Sequence, residues 1–143
     1  MKLSKTAAHA VLAVAHLAQS PSDAPVQARH IAGHLAIPTD SALKILQALA
    51  RQRLLRSRLG RNGGYWLDKA PDEVSLLQIV EAVDGPIRVQ MPLGEGAPSA
   101  RRAMARRLRR ACEQATQRVR DEFAGITVAS LLEGEPVSTA GPS

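Results

Sequence analysis

The chain has 143 residues, the size of one domain or one domain with an appendage, which excludes a large multidomain enzyme. At 45% hydrophobic and 22% charged it can bury a core, but its three aromatic residues, Tyr65, Trp66 and Phe123, are too few for a platform that stacks single-stranded bases. Nineteen Lys and Arg against thirteen Asp and Glu give a net charge of +6, which favours a polyanionic partner over a neutral metabolite.

The first predicted helix runs from Ser4, a capping residue, to about Gln19, with Ala8, Val11, Leu12, Ala15 and Leu17 at helical spacing and Ser20-Pro21 as its stop. Lys2 and Lys5 ahead of an alanine-rich stretch imitate a secretory signal, but His9 and His16 interrupt that stretch, and it is too short to span a membrane. Residues 21–25 read as a loop. Gln27–Leu35 then places Ala28, Ile31, Ala32 and Leu35 on one face of a short helix. After Ala36-Ile37-Pro38, Thr39 is placed to cap a third helix. Its apolar stripe is Ala42, Leu43, Ile45, Leu46 and Leu49, which leaves Asp40, Ser41, Lys44, Gln47 and Arg51 outside. Residues 54–58 and 65–67 are short strands joined by the glycine-rich Gly60–Gly64 turn. Two helices joined by a tight turn and followed by a basic hairpin predict a winged helix-turn-helix, the arrangement in which one helix enters the major groove of duplex DNA.

Beyond the wing, Ser75 and Gln78 form a capping-box pattern opening a helix that ends at Asp84, with Gly85-Pro86 as the stop. Residues 87–97 read as a linker or sensor loop, a setting for a small-molecule effector, while a redox effector would act through Cys112. Residues 98–123 predict one long helix whose Met104, Leu108, Ala111, Ala115 and Val119 form a narrow seam for a partner helix, hence dimerisation. Residues 127–132 close as a short helix before a polar 134–143 tail. The expected architecture is mainly α with a small β wing: a winged domain over 1–86, the 87–97 loop, and a dimerisation segment over 98–133. Charge follows this division, because residues 1–69 carry ten basic and three acidic side chains whereas residues 70–97 carry one and five.

Leu54-Leu55-Arg56-Ser57, Gly60-x-x-Gly63-Gly64-Tyr65-x-Leu67, Pro71-x-Glu73-Val74-Ser75-Leu76 and Val80-x-x-Val83-Asp84-Gly85-Pro86 together resemble the Rrf2 family of bacterial winged-helix transcription regulators. The resemblance spans nearly the whole chain, although the long helix matches in shape rather than in motif. It implies a cytoplasmic homodimer on a pseudo-palindromic double-stranded operator, usually as a repressor, with the third helix in the major groove and the wing beside it. Three departures stand out. Cluster-binding members carry cysteines in the loop before the long helix, whereas residues 87–100 here hold no Cys and no His and only one carboxylate, Glu95, so no iron–sulfur cofactor is expected. Where many members have Tyr-Leu-x-Gln in the recognition helix, this chain has Ser41-Ala42-Leu43-Lys44, so the operator does not carry over. Where the family often has an arginine directly before the first wing glycine, Leu59 stands between Arg58 and Arg61.

On this reading Thr39, Ser41, Lys44 and Gln47 face base edges, with Lys44 suited to guanine acceptors and Gln47 to adenine. Arg56, Arg58, Arg61 and Asn62 of the wing, with Lys2, Lys5, Gln27 and Arg29 at helix starts, contact the backbone or minor groove. The alternative for each is an ordinary solvated surface. His30 and His34, like His9 and His16, have the i, i+4 spacing of a metal pair, yet no Cys or carboxylate lies near them in sequence and solvated histidines are the expectation, so no metal is predicted. Cys112, the only cysteine, cannot form an internal disulfide and reads as a packing residue beside the seam; flanking Arg109 and Arg110 make an oxidant sensor the alternative. The rival from another class is an adaptor whose winged domain has lost base readout. No nucleophile elbow, phosphate loop, zinc-protease motif or carboxylate pair supports an enzyme.

Overall fold

The computed structural model describes residues 2–21, 24–91 and 99–134. Helix α1 (Lys5–Ala18) begins where the Ser4 hydroxyl accepts the Ala7 N–H at 2.9 Å. Its buried face is Ala7, Ala10, Ala13, Val14 and Leu17, so its small side chains let neighbouring elements pack close to its backbone. Helix α2 (Ala28–Leu35) ends in Ala36, which turns the chain through the left-handed region at φ 56° and ψ 46°. Helix α3 (Thr39–Arg51) follows and buries Ala42, Ile45, Leu46 and Leu49. Thr39 is not its cap. Pro38, at φ −61° and ψ 147°, supplies the extended cap geometry, and Thr39 is already the first helical residue, with no side-chain cap bond made.

Strands β1 (Leu55–Arg58) and β2 (Gly64–Leu67) pair antiparallel with Leu55 opposite Leu67 and Arg58 opposite Gly64. A Cβ at Gly63 would stand 2.0 Å from the Arg58 carbonyl oxygen, so the hairpin closes only with glycine there. One feature of this sheet falls on a residue that the sequence assigns to no element: Val26, between the predicted loop and the second helix, exchanges two hydrogen bonds of 2.9 Å with Tyr65, adding a one-residue rung to the β2 edge. A single rung has no periodicity from which to be read.

A short 3-10 turn, Pro71–Glu73, leads to helix α4 (Leu76–Asp84), whose capping box is made as expected: the Gln78 N–H donates to Ser75 Oγ at 3.1 Å and the Ser75 N–H to Gln78 Oε1 at 2.9 Å. Helix α5 (Ser99–Ala124) is the long helix, and α6 (Val128–Leu132) closes the described chain. Residues 92–97 of the predicted sensor loop, Glu95 among them, Pro98 at the start of the predicted long helix, and residues 135–143 of the predicted tail lie outside the described residues.

The main core joins Val14 and Leu17 of α1, Ile31 of α2, Leu46 and Leu49 of α3, Leu54, Leu55, Val74, Ile79 and Val128. Val128 belongs to α6, so the end of the described chain packs into the winged core rather than standing apart with α5. The Val128 N–H donates to the Val74 carbonyl at 2.9 Å, and the Leu76 N–H to the Ile126 carbonyl at 2.8 Å, which fixes that return. A second cluster, Ala7, Val80 and Ile87, is covered by Val119 and Phe123 of α5.

Candidate nucleic-acid interface

The face of α3 opposite its buried stripe carries Thr39, Ser41, Lys44, Gln47 and Arg51, all exposed. It therefore presents donors and acceptors to solvent on a helix whose position is set by four buried side chains. Lys5, on the first turn of α1, joins Ser41, Lys44 and Arg51 around a groove of about 630 Å³ floored by Ile37, Ile45 and Val83, so α1 adds a cation to the α3 surface. Lys2 goes elsewhere and lines a separate groove with Asp84, Gly85 and Arg88.

The wing is fastened to the start of α2 through Gln27. Its side-chain amide donates to the Arg61 carbonyl at 3.0 Å, and its Oε1 accepts from Arg29 Nε at 2.8 Å. Together with the Val26–Tyr65 rung, these bonds fix the orientation of the hairpin relative to the helix-turn-helix. Gln27 is thus a positioning group, its amide committed within the chain. The wing arginines also differ among themselves. Arg56 pairs with Asp68 at 3.0 Å, its side chain 66% exposed, so part of its charge is already balanced. Arg58 donates to the Asn62 carbonyl at 3.3 Å across the turn, which stiffens the tip. Arg61 and Asn62 are exposed at that tip, and Leu59 is 95% exposed beside them. The opposite charges Arg56 and Asp68 flanking one hairpin were a signal for their pairing that the strand pattern alone did not use.

On α5 the predicted seam divides in two. Met104 is 63% and Leu108 42% exposed, and Ala111 is exposed with them. Ala115 is half-buried, and Val119 is used within the chain, against the second core cluster. The helix is tied down at that same end: Arg120 pairs with Glu81 of α4, and Glu81 Oε2 also accepts the Ile87 N–H at 2.8 Å. One carboxylate thereby joins α4, the start of the linker and α5. Farther along, the Val89 N–H donates to the Thr116 hydroxyl at 2.8 Å. Cys112 is half-buried and lines a cleft of about 550 Å³ with Arg88, Arg109, Glu113 and Thr116. It therefore packs less fully than a core thiol.

Residues 3–134 match the Rrf2 family, described as iron-dependent transcriptional regulators. The HTH-type regulator Rv1287 of Mycobacterium tuberculosis is 34% identical over 96 residues, which is 67% of this chain and 60% of that protein's length. The transcriptional regulator IscR of Erwinia tasmaniensis is 26% identical across 96% of this chain and 82% of its own. Among solved structures, the global cysteine regulator CymR of B. subtilis superimposes with a TM-score of 0.70 at 21% identity, covering 93% of this chain and 97% of its own, and so shares the fold. An iron–sulfur cluster does not suit the donor set: the whole sequence offers one thiolate, Cys112, where such clusters are held chiefly by several. None of these relatives is an enzyme, and among the described residues no helix is long and apolar enough to cross a membrane. The exposed polar face of α3, the basic wing bound to it and the match over almost the whole chain lead to one conclusion: this protein belongs to the Rrf2 family of DNA-binding transcriptional regulators.

Proposed function

We propose that the protein is a homodimeric repressor that binds a pseudo-palindromic operator without an iron–sulfur cluster. In this reading α3 lies in the major groove, with Thr39, Ser41, Lys44 and Gln47 at base edges. Arg61 and Asn62 at the wing tip, helped by Arg58, Arg56, Arg29 and Lys5, hold the phosphates and the neighbouring minor groove. The observation that carries it is the bond from the Gln27 amide to the Arg61 carbonyl, because it locks the cationic wing tip to the helix-turn-helix that presents the α3 face. Met104, Leu108 and Ala111 supply the apolar seam between two copies of α5, since the described chain leaves them uncovered.

The two kinds of contact predict different losses. Arg61→Ala weakens binding to every duplex and lowers the slope of log affinity against log salt by about one. Lys44→Ala instead costs about 1–3 kcal/mol on the preferred site and little on random DNA. Fluorescence anisotropy of both variants on both duplexes, over a salt series, separates them. Equal losses on specific and random DNA for both would remove the assigned roles, and no loss at all would favour the adaptor reading.

A thiol-based input through Cys112 is the second reading, supported by its position, half-buried, in an open cleft beside Arg88 and Arg109. It predicts that peroxide releases the wild-type protein from DNA and that Cys112→Ser abolishes this release; release unchanged in the variant removes it.

A further inference from the structure

DNA binding as proposed uses the rim of the groove between α1 and α3 and leaves its floor without a role. Lys5 of α1 and Lys44 and Arg51 of α3 are exposed along that rim. Lys44, Ala48 and Arg51 stand at i, i+4 and i+7, one stripe of α3, so the two cations are about 10 Å apart along the helix with only a methyl group between them. Beneath them Ile37 and Val83 are half-buried and Ile45 is 5% exposed. Duplex phosphates are held by charge and hydrogen bonds, so they engage the cations and gain nothing from that apolar floor.

We propose that this groove binds an organic carboxylate with an apolar chain, its head among Lys5, Lys44 and Arg51 and its chain on Ile37, Ile45 and Val83, and that the bound molecule competes with DNA for α3. The volume of about 630 Å³ lies in the range of small-molecule sites, which combine an apolar lining with a few convergent polar groups. Among the described residues no Asp or Glu lines the groove, so nothing there repels an anion or neutralises the three cations. No Phe, Tyr or Trp lines it either, so a nucleotide base finds no such ring to stack on. The hydroxyls of Thr6 and Ser41 add donors beside the cations. The floor is preformed, because Ile45 belongs to the main core and Val83 packs against both core clusters.

Ser41 and Lys44 belong to both surfaces. A carboxylate in the groove neutralises Lys44, and its chain occupies the edge of α3 that a base pair would approach, so ligand and duplex exclude one another. By linkage each lowers the affinity for the other by the same factor. The competition rests on the reading of α3 as the DNA-facing helix; the binding site itself does not.

The test is calorimetric titration of the full chain with sodium octanoate, with sodium acetate and octanol as controls. The same titration is then followed by anisotropy on the duplex that the protein selects from a randomised library. The expected result is one octanoate per chain, with acetate and octanol each weaker by about tenfold or more, because each lacks one half of the recognised group. Lys5→Ala and Arg51→Ala each weaken octanoate binding about three- to tenfold, and both keep the fold because the side chains are exposed. Arg61→Ala, outside the groove, binds octanoate as the wild type does. Octanoate releases the duplex, and acetate at equal ionic strength does not. Absence of saturable octanoate binding, equal binding of acetate or of octanol, or unchanged affinity in both Lys5→Ala and Arg51→Ala would overturn the site. Octanoate binding that leaves the duplex in place overturns the competition. Failure to select any duplex counts against the operator reading alone, since calorimetry decides the site without DNA.

Discussion

Ala36 occupies the left-handed region at the turn between α2 and α3, a conformation that costs an L-residue with a Cβ about 1–2 kcal/mol. Glycine meets no such cost but loses more chain entropy on folding, so Ala36→Gly raises stability by up to about 1 kcal/mol, whereas a β-branched residue there lowers it. Urea denaturation of the two variants checks both signs. His16 gives the pH dependence. Partial burial, then the charges of His34 and His30, hold its folded pKa below the ordinary 6.5, so the unfolded chain takes up the proton first as pH falls. Its contribution is therefore intact above about pH 6.5 and is lost as pH falls below that value; His16→Gln flattens this part of a stability-against-pH curve. Much at this scale was legible: Ser41, Lys44 and Gln47 stand exposed where the 3.6-residue period placed them, because helix geometry alone decides which positions face away from a buried stripe. The Thr39 cap was misplaced by one position because proline supplies cap geometry without a side-chain bond. The packing of His16 against His30 and His34, with ring centroids 5.7 and 4.1 Å apart, was invisible, since it depends on how α1 and α2 pack.

Among the elements, the wing was readable from its glycines and alternating basic residues, but not its attachment through Val26 and Gln27. Both are tertiary contacts made by residues with no local pattern of their own. The α5 seam shows a similar limit. Periodicity marks one apolar row, but it does not tell that Val119 serves the chain's own core while Met104 and Leu108 stay exposed. Glu81 is the joint of this half of the molecule. Glu81→Gln removes the charge that holds Arg120 and weakens the bond to the Ile87 N–H, lowering stability by about 1–3 kcal/mol and loosening α5. Hydrogen exchange at Ile87 and Val119 reports that loosening before global unfolding does. At the opposite end, Val128→Ala costs roughly 2 kcal/mol for two buried methyl groups and their cavity. That loss is seen in the melting of the winged core, because α6 is part of it.

For the whole molecule, exposure assigns two jobs to two different elements. The α3 face and wing present Lys44, Arg51, Arg58 and Arg61 on a packed frame, while the exposed Met104–Leu108–Ala111 row of α5 offers the surface on which a second copy would pair. Replacing Met104 and Leu108 together with glutamate leaves the single-chain core untouched, so the expected product is a folded monomer, read by light scattering, that has lost most of its operator affinity because two half-sites are no longer held together. The most direct measurement is selection of binding sites from a randomised duplex library by purified, reduced protein at near-physiological salt. The account predicts enrichment of an inverted repeat with half-site centres about 10 base pairs, one helical turn, or a multiple of that apart, lost in the Met104/Leu108 double variant. Salt-sensitive binding with no enriched sequence would contradict it, for the α3 face would then hold DNA without reading it.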